Sequence, residues 1–193
     1  MGLEIELKYR ATPDQQRAVL KACRCVPQSI SMETTYYDTV DRQLSARRIT
    51  LRRRLENGVS VCTMKTPAAG NARGEWDCLR DTIEEAIPEL CKLASREDLR
   101  DVLRSGVVAV CGARFTRQAV DIQTSDFTAE LALDQGVLLG GGREAPLCEV
   151  ELELKSGNPD AMREYMTLLA GAVGLKPERK SKFRRAMDLA GGE

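Results

Sequence analysis

Apolar and charged positions alternate strictly at the start of the chain. Leu3, Ile5 and Leu7 fall on one side of a period-two element, and Glu4, Glu6 and Lys8 on the other. The pattern returns late in the chain, where Glu149, Glu151 and Glu153 alternate with Val150, Leu152 and Leu154. Between them, Asn57-Gly58 marks a two-residue hairpin turn in which facing residues sum to 115. Arg54 then lies opposite Val61, Arg52 opposite Thr63 and Thr50 opposite Lys65. Cross-strand partners share a face, so Arg52, Arg54 and Lys65 project together, while Leu51, Arg53 and Leu55 point the other way. Further strands are expected over 29–37, 73–79, 113–121, 124–133 and 147–155. Turns are expected at Asp134-Gln135-Gly136 and Gly140-Gly141-Gly142.

Helical spacing fills the remainder. Thr12-Pro13-Asp14 reads as an N-cap, a first-position proline and a first-turn acid, opening a helix that buries Val19, Leu20 and Cys23. Residues 83–103 read as two short helices, interrupted at Pro88, with a fresh start at Ser95-Arg96-Glu97-Asp98. Asn158-Pro159 starts an amphipathic helix with Met162, Met166, Leu169 and Val173 on one face. After Lys176-Pro177, a last short helix sets Lys182 and Arg185 on one side. The expectation is a single α+β domain over 1–193. It would be a closed eight-stranded antiparallel β-barrel, or tunnel, with flanking helices and a short C-terminal helix. The apolar faces would meet the helices and the charged faces would line the lumen.

Composition narrows the chemistry. The 193 residues carry 29 basic and 29 acidic side chains for a net charge of +0, and only 4% are aromatic. That balance argues against nucleic-acid binding through bulk charge, and the scarcity of rings argues against base stacking. Histidine is absent, which removes the usual general base and the Ser-His and Cys-His nucleophile pairs. The seven cysteines are odd in number and irregularly spaced, the pattern of reduced thiols in a cytoplasmic protein. Cys23-Arg24-Cys25 is a weak soft-metal signal. No apolar run reaches membrane-spanning length.

Acids grouped on strands are hard oxygen ligands suited to Mg²⁺ or Mn²⁺, and converging Arg and Lys suit phosphate oxygens. Together they form the equipment of phosphoryl transfer, which works by positioning and charge stabilisation and needs no histidine.

At this point the sequence resembles a known family. Glu4-Ile5-Glu6-Leu7-Lys8 resembles the E-x-E-x-K signature of the CYTH superfamily, the triphosphate tunnel metalloenzymes. Tyr36-Tyr37-Asp38-Thr39, Leu51-Arg52-Arg53-Arg54, Thr63-Met64-Lys65 and Arg73-Gly74-Glu75 resemble further motifs in the family's order. So do Phe115-Thr116-Arg117, the stretch 130–136, Glu151-Leu152-Glu153 and Ser181-Lys182 with Arg185. The resemblance spans the chain and is nearest to the bacterial inorganic triphosphatase branch. It implies metal-dependent hydrolysis of triphosphate to pyrophosphate and phosphate, with two divalent ions. Glu4, Glu6, Glu151 and Glu153 would hold metal, and Glu4, Glu6 and Lys8 would carry catalysis. Lys8, Arg52, Arg54, Lys65, Arg117, Lys182 and Arg185 would cradle the triphosphate. Glu75 and Glu130 would be further lumen acids, with Glu149 ranked below them. Arg73, Arg114 and Arg184 read more simply as solvated or rim arginines.

The resemblance also implies that a basic helical CHAD domain can follow such a domain. Class IV adenylate cyclases and thiamine or RNA triphosphatases share the cations and acids but need a pocket for the organic part. Trp76, the single tryptophan, is expected to pack rather than bind. A non-catalytic polyphosphate-binding module would have no use for two acidic pairs, and a structural β domain would bind no anion.

Overall fold

Ten strands hydrogen-bond in one antiparallel sheet in the computed structural model, which describes residues 2–67 and 73–191, with backbone alone for residues 2–4 and Arg73. They are β1 (Gly2–Glu4), β2 (Glu6–Arg10), β3 (Gln28–Asp38), β4 (Thr50–Glu56), β5 (Val59–Pro67), β6 (Arg73–Leu79), β7 (Val108–Gln123), β8 (Phe127–Gly140), β9 (Arg143–Gly157) and β10 (Lys176–Pro177). The order is β1-β6-β5-β4-β3-β7-β8-β9-β2-β10. As a ladder this is a row of ten strands, not a closed ring of eight. Yet β1 and β2 are one run of chain parted only at Ile5, and they pair at opposite margins, β1 with β6 and β2 with β9. The Ile5 carbonyl itself accepts from Leu154 N at 2.9 Å. A single N-terminal strand thus joins the two margins, which is the tunnel arrangement.

Side-chain alternation sorts the sheet into two faces. Outward residues of β7, β8 and β9 (Val120, Leu131, Leu133, Val150, Leu152) pack under α1 (Pro13–Cys23) and α5 (Pro159–Val173), which contribute Val19, Met162 and Met166. Outward residues of β4, β5 and β6 (Leu51, Cys62, Met64, Cys78) pack under α2 (Gln43–Ala46), α3 (Ile83–Leu93) and α4 (Asp98–Leu103). Trp76 belongs to this second layer, a packing role. The hairpin register is the one the Asn57-Gly58 turn predicts, with Thr50 opposite Lys65, Arg52 opposite Thr63 and Arg54 opposite Val61.

Two local expectations fail for physical reasons. Pro88 lies inside α3, and the break comes only after Leu93. A helix-interior proline costs about 3 kcal/mol. Ile83, Ala86, Leu90 and Cys91 are buried on the same helix, and at roughly 1.5–3 kcal/mol per large apolar side chain their burial outweighs that cost. Asp134-Gln135-Gly136 is no turn, because β8 runs straight through it. A Cβ at Gly136 would stand 2.2 Å from Arg114 O, so the glycine serves close approach of β7, not a reversal.

The last helix, α6 (Lys182–Leu189), packs on inward faces instead. Its Ala186 clusters with Met32, Ala113, Phe115, Leu138 and Leu147 from β3, β7, β8 and β9. Ser181 caps it by accepting from Arg184 N at 3.1 Å.

Candidate functional site: a charged tunnel

Inward-facing residues enclose a cavity of about 960 Å³. Twelve basic side chains line it against eight acidic ones among the described residues, so a chain of zero net charge has a basic interior.

One wall is acidic. Glu130 of β8 is the register partner of Glu153 on β9, and Glu153 is the partner of Glu6 on β2. Three carboxylates therefore stand side by side on three adjacent strands, an arrangement that is repulsive unless cations intervene. Each has one: Arg117 lies 3.5 Å from Glu130, Lys155 2.9 Å from Glu153 and Lys8 2.9 Å from Glu6.

Behind this row sits a more enclosed cluster. Carboxylate oxygens of Asp134, Glu149 and Glu151 all lie within 4.8 Å of one another. The Lys182 ammonium is placed among them, 2.7 Å from Asp134 and 2.8 Å from Glu151, and it also contacts Glu149. Arg117 makes a two-pronged contact with Asp134, at 2.8 Å for each prong, and reaches Glu151 at 3.0 Å. Phe115 lies beneath both cations, its ring centre 5.3 Å from the Lys182 ammonium. Burial alone would favour a neutral Lys182, but Asp134, Glu151 and Glu149 hold it charged and raise its pKa. Lys8 is raised in the same way, with Glu151 and Glu6 outweighing its burial. Burial works against the Glu151 carboxylate too, and Lys182, Lys8 and Arg117 overcome it, so its pKa falls well below the usual value. Glu149 behaves oppositely: burial, together with the neighbouring Glu151, pushes it up to about 7 against Lys182 and Arg185.

The facing wall is cationic. Arg52 and Lys65 each lie 3.1 Å from Glu75, and Arg54 Nε donates to Glu56 at 2.6 Å. Burial, then the like charges of Arg52 and Arg117, lower the Arg54 pKa despite Glu56. Cations crowded together away from water are ready to gain from an incoming anion.

The structure therefore brings together Glu6, Lys8, Arg52, Arg54, Lys65, Glu75, Arg117, Glu130, Glu151, Glu153 and Lys182, all lining one cavity. Glu149 is buried behind it. Arg185 contacts Glu149, stands 3.9 Å from Glu178 and does not line the main cavity. The side chains of Glu4 and Arg73 lie outside the described residues. Arg114 is exposed and pairs with Glu144 at 3.2 Å, whereas Arg184 pairs with Asp188 at 3.0 Å and borders the cavity. All seven cysteines are free, and among the described residues the Cys23-Arg24-Cys25 pair joins no cluster of three ligand side chains.

Sequence reasoning missed Asp134, although it shares the inward parity of Glu130, because Gly136 made it read as a turn. It also passed over Glu178, a buried carboxylate that accepts from Arg10 and from Lys180 N at 2.9 Å. Asp38 was flagged only through its motif. It is 1% exposed and accepts from Thr39 N, Leu44 N and Ser45 Oγ, so it fixes the loop after β3.

Fold and site define an antiparallel tunnel protein with a charged lumen. The CYTH domain model matches residues 2–187, and the chain belongs to the CYTH family. It is 27% identical over 190 residues to an inorganic triphosphatase of Haemophilus influenzae, covering 94% of this chain and 53% of that relative. The chain thus spans about half the length of this curated relative. Among solved structures, its fold is similar to the Hippeastrum adenylyl cyclase candidate HpAC1, described as having a dominant triphosphatase activity. The TM-score is 0.64 with 16% identity, over 100% of this chain and 97% of that one. It is also similar to PH1819 of Pyrococcus horikoshii, with a TM-score of 0.62 and 22% identity over 96% of this chain and 99% of that one. No helix among the described residues is long and apolar enough to cross a membrane.

Proposed function

We propose that the tunnel hydrolyses inorganic triphosphate to pyrophosphate and phosphate with the help of divalent cations. The observation that carries this reading is the opposition of two walls, a carboxylate row at Glu130, Glu153 and Glu6 and a cation cluster at Arg52, Arg54 and Lys65.

The lumen acids fall into two donor sets. Lys182 already occupies the centre of the Asp134, Glu149 and Glu151 trio, so that trio fits an ammonium better than a second cation. Glu6 and Glu153 are different: they face the cavity with side chains 23% and 32% exposed, and they are all-oxygen donors. In this reading Glu6 and Glu153 would hold the metal, with Glu4 two residues before Glu6 and Glu130 the register partner of Glu153, and Glu151 positions Lys8, Lys182 and Arg117. A bound Mg²⁺ or Mn²⁺ would neutralise phosphate charge and lower the pKa of a water. Arg52, Arg54, Lys65 and Arg117 bind the equatorial oxygens, and Lys8, between the acids and the substrate, stabilises charge as the bond breaks. Lys182 and Arg185 complete the cradle through the acids they hold. The similarity to the Haemophilus triphosphatase supports the inorganic substrate.

Phosphate release from tripolyphosphate, ATP and thiamine triphosphate, each with Mg²⁺ and then Mn²⁺, tests the reading. Of these three, tripolyphosphate should give the highest kcat/KM. Preference for either organic triphosphate, or tight tripolyphosphate binding without release, would overturn it.

A further inference from the structure

The cavity lining includes cations for which the cradle has no use. Arg42 and Arg48 flank α2, and Arg179 lies between β10 and α6; all three are exposed side chains that border the same cavity as Arg52 and Lys65. The α2 segment reaches α6, the helix that follows Arg179, since Arg42 Nη1 lies 3.6 Å from Met187 Sδ.

Both segments are held from beneath by buried carboxylates. Asp38 accepts from Leu44 N at 2.9 Å and from Ser45 Oγ at 2.6 Å, and Thr39 Oγ1 accepts from Gln43 N at 2.9 Å. These bonds fix the turn that carries Arg42 and Arg48. Glu178 does the same for Arg179, through Arg10 and Lys180 N. The backbone that carries these long cationic side chains is therefore fixed at both segments.

The backbone adds an independent sign. Arg42 and Arg48 both adopt the left-handed conformation, at φ 60° and 58°, where glycine would be less strained. Strain at a bulky residue points to a use for its side chain. Among the described residues neither Arg48 nor Arg179 forms an ion pair, so their charges are open to an incoming group.

We propose that Arg42, Arg48 and Arg179 form a second anion subsite at the mouth of the tunnel, outside the triphosphate cradle, which takes the far end of a linear phosphate chain longer than three units. The proposal rests on the functional reading above, because it extends the same bound anion outward. Guanidinium groups suit it: each offers paired donors to phosphate oxygens.

The test compares tripolyphosphate with tetrapolyphosphate in the wild type, Arg48→Gly and Arg179→Gln. Arg48→Gly removes the charge while relieving the backbone, so it keeps the fold and its thermal midpoint should not fall. Wild type should favour tetrapolyphosphate in kcat/KM, and each variant should lose about tenfold of that preference, the effect of one charge-assisted contact. An unchanged ratio of the two kcat/KM values would overturn the subsite. Should the wild type release phosphate from neither anion, the hydrolytic reading fails but the subsite is still tested by calorimetry. Tighter tetrapolyphosphate binding that is lost in the variants supports it, and equal affinity for both anions overturns it.

Discussion

Lys182 is a charged ammonium with a side chain only 10% exposed, surrounded by Asp134, Glu149 and Glu151. Taking such a group out of water is costly, and it is tolerated because three acids compensate it. Removing it leaves those acids uncompensated. Lys182→Met should therefore lower unfolding free energy by about 3–5 kcal/mol, measured by urea titration; a loss under about 1 kcal/mol would show that the cluster is not held by this charge. The sequence made Lys182 visible through its Ser-Lys signature, as one of the cations expected to cradle the triphosphate. Its acidic partners were hidden because Asp134 sat in what read as a turn, and no local pattern announces which distant strand a lysine will meet. Glu6, Lys8, Glu151 and Glu153 were legible for the opposite reason: strict alternation fixes which side of the sheet a residue faces, whatever its neighbours.

The elements most exposed to error are those whose glycines and prolines have tertiary uses. Gly140 ends β8 where α6 crosses it, and a Cβ there would stand 2.2 Å from Ala186 O and 2.9 Å from Ala190 N. Those are backbone atoms that cannot swing aside. Gly140→Ala should cost roughly 1–3 kcal/mol through forced displacement of α6, read as a lower thermal midpoint. Gly142→Ala, with nothing within 4 Å but φ at 72°, separates conformational cost from crowding. The segment leading into α6 has its own pH dependence. Burial opposes ionisation of Glu178, but the Arg10 and Lys180 contacts and Arg185 win, and its pKa lies below the usual 4.5. A depressed carboxyl stabilises the fold above its unfolded pKa and loses that contribution as pH falls through the folded one. The stability gap between wild type and Glu178→Gln should therefore be full at neutral pH and close as the pH falls below the usual carboxyl value and through the depressed one. A gap that stayed constant on acidification would contradict this.

For the whole molecule, the informative quantity is the placement of charge and not its sum. Equal numbers of acids and bases give zero overall, but the described lining is basic twelve to eight. Such a lumen focuses attraction on an anion, so kcat/KM for a triphosphate should fall as ionic strength rises, with kcat much less affected. The tunnel itself was partly readable. Three charged rows opposite three apolar rows pointed to a shared interior, and the Asn57-Gly58 turn fixed one hairpin register. The pairing of β3 with β7, and the split of the N-terminal strand between two margins, are long-range choices without a local signature. In the function we propose, the Glu130, Glu153 and Glu6 row acts with a divalent cation on a phosphate chain held by the opposite wall. Phosphate release from tripolyphosphate by wild type and Glu153→Gln, with Mg²⁺ and with chelator, measures it most directly. Turnover by the wild type with Mg²⁺ alone, and a loss of at least about a hundredfold in the folded variant, is the predicted result; full turnover by Glu153→Gln, or by the wild type in chelator, would contradict it.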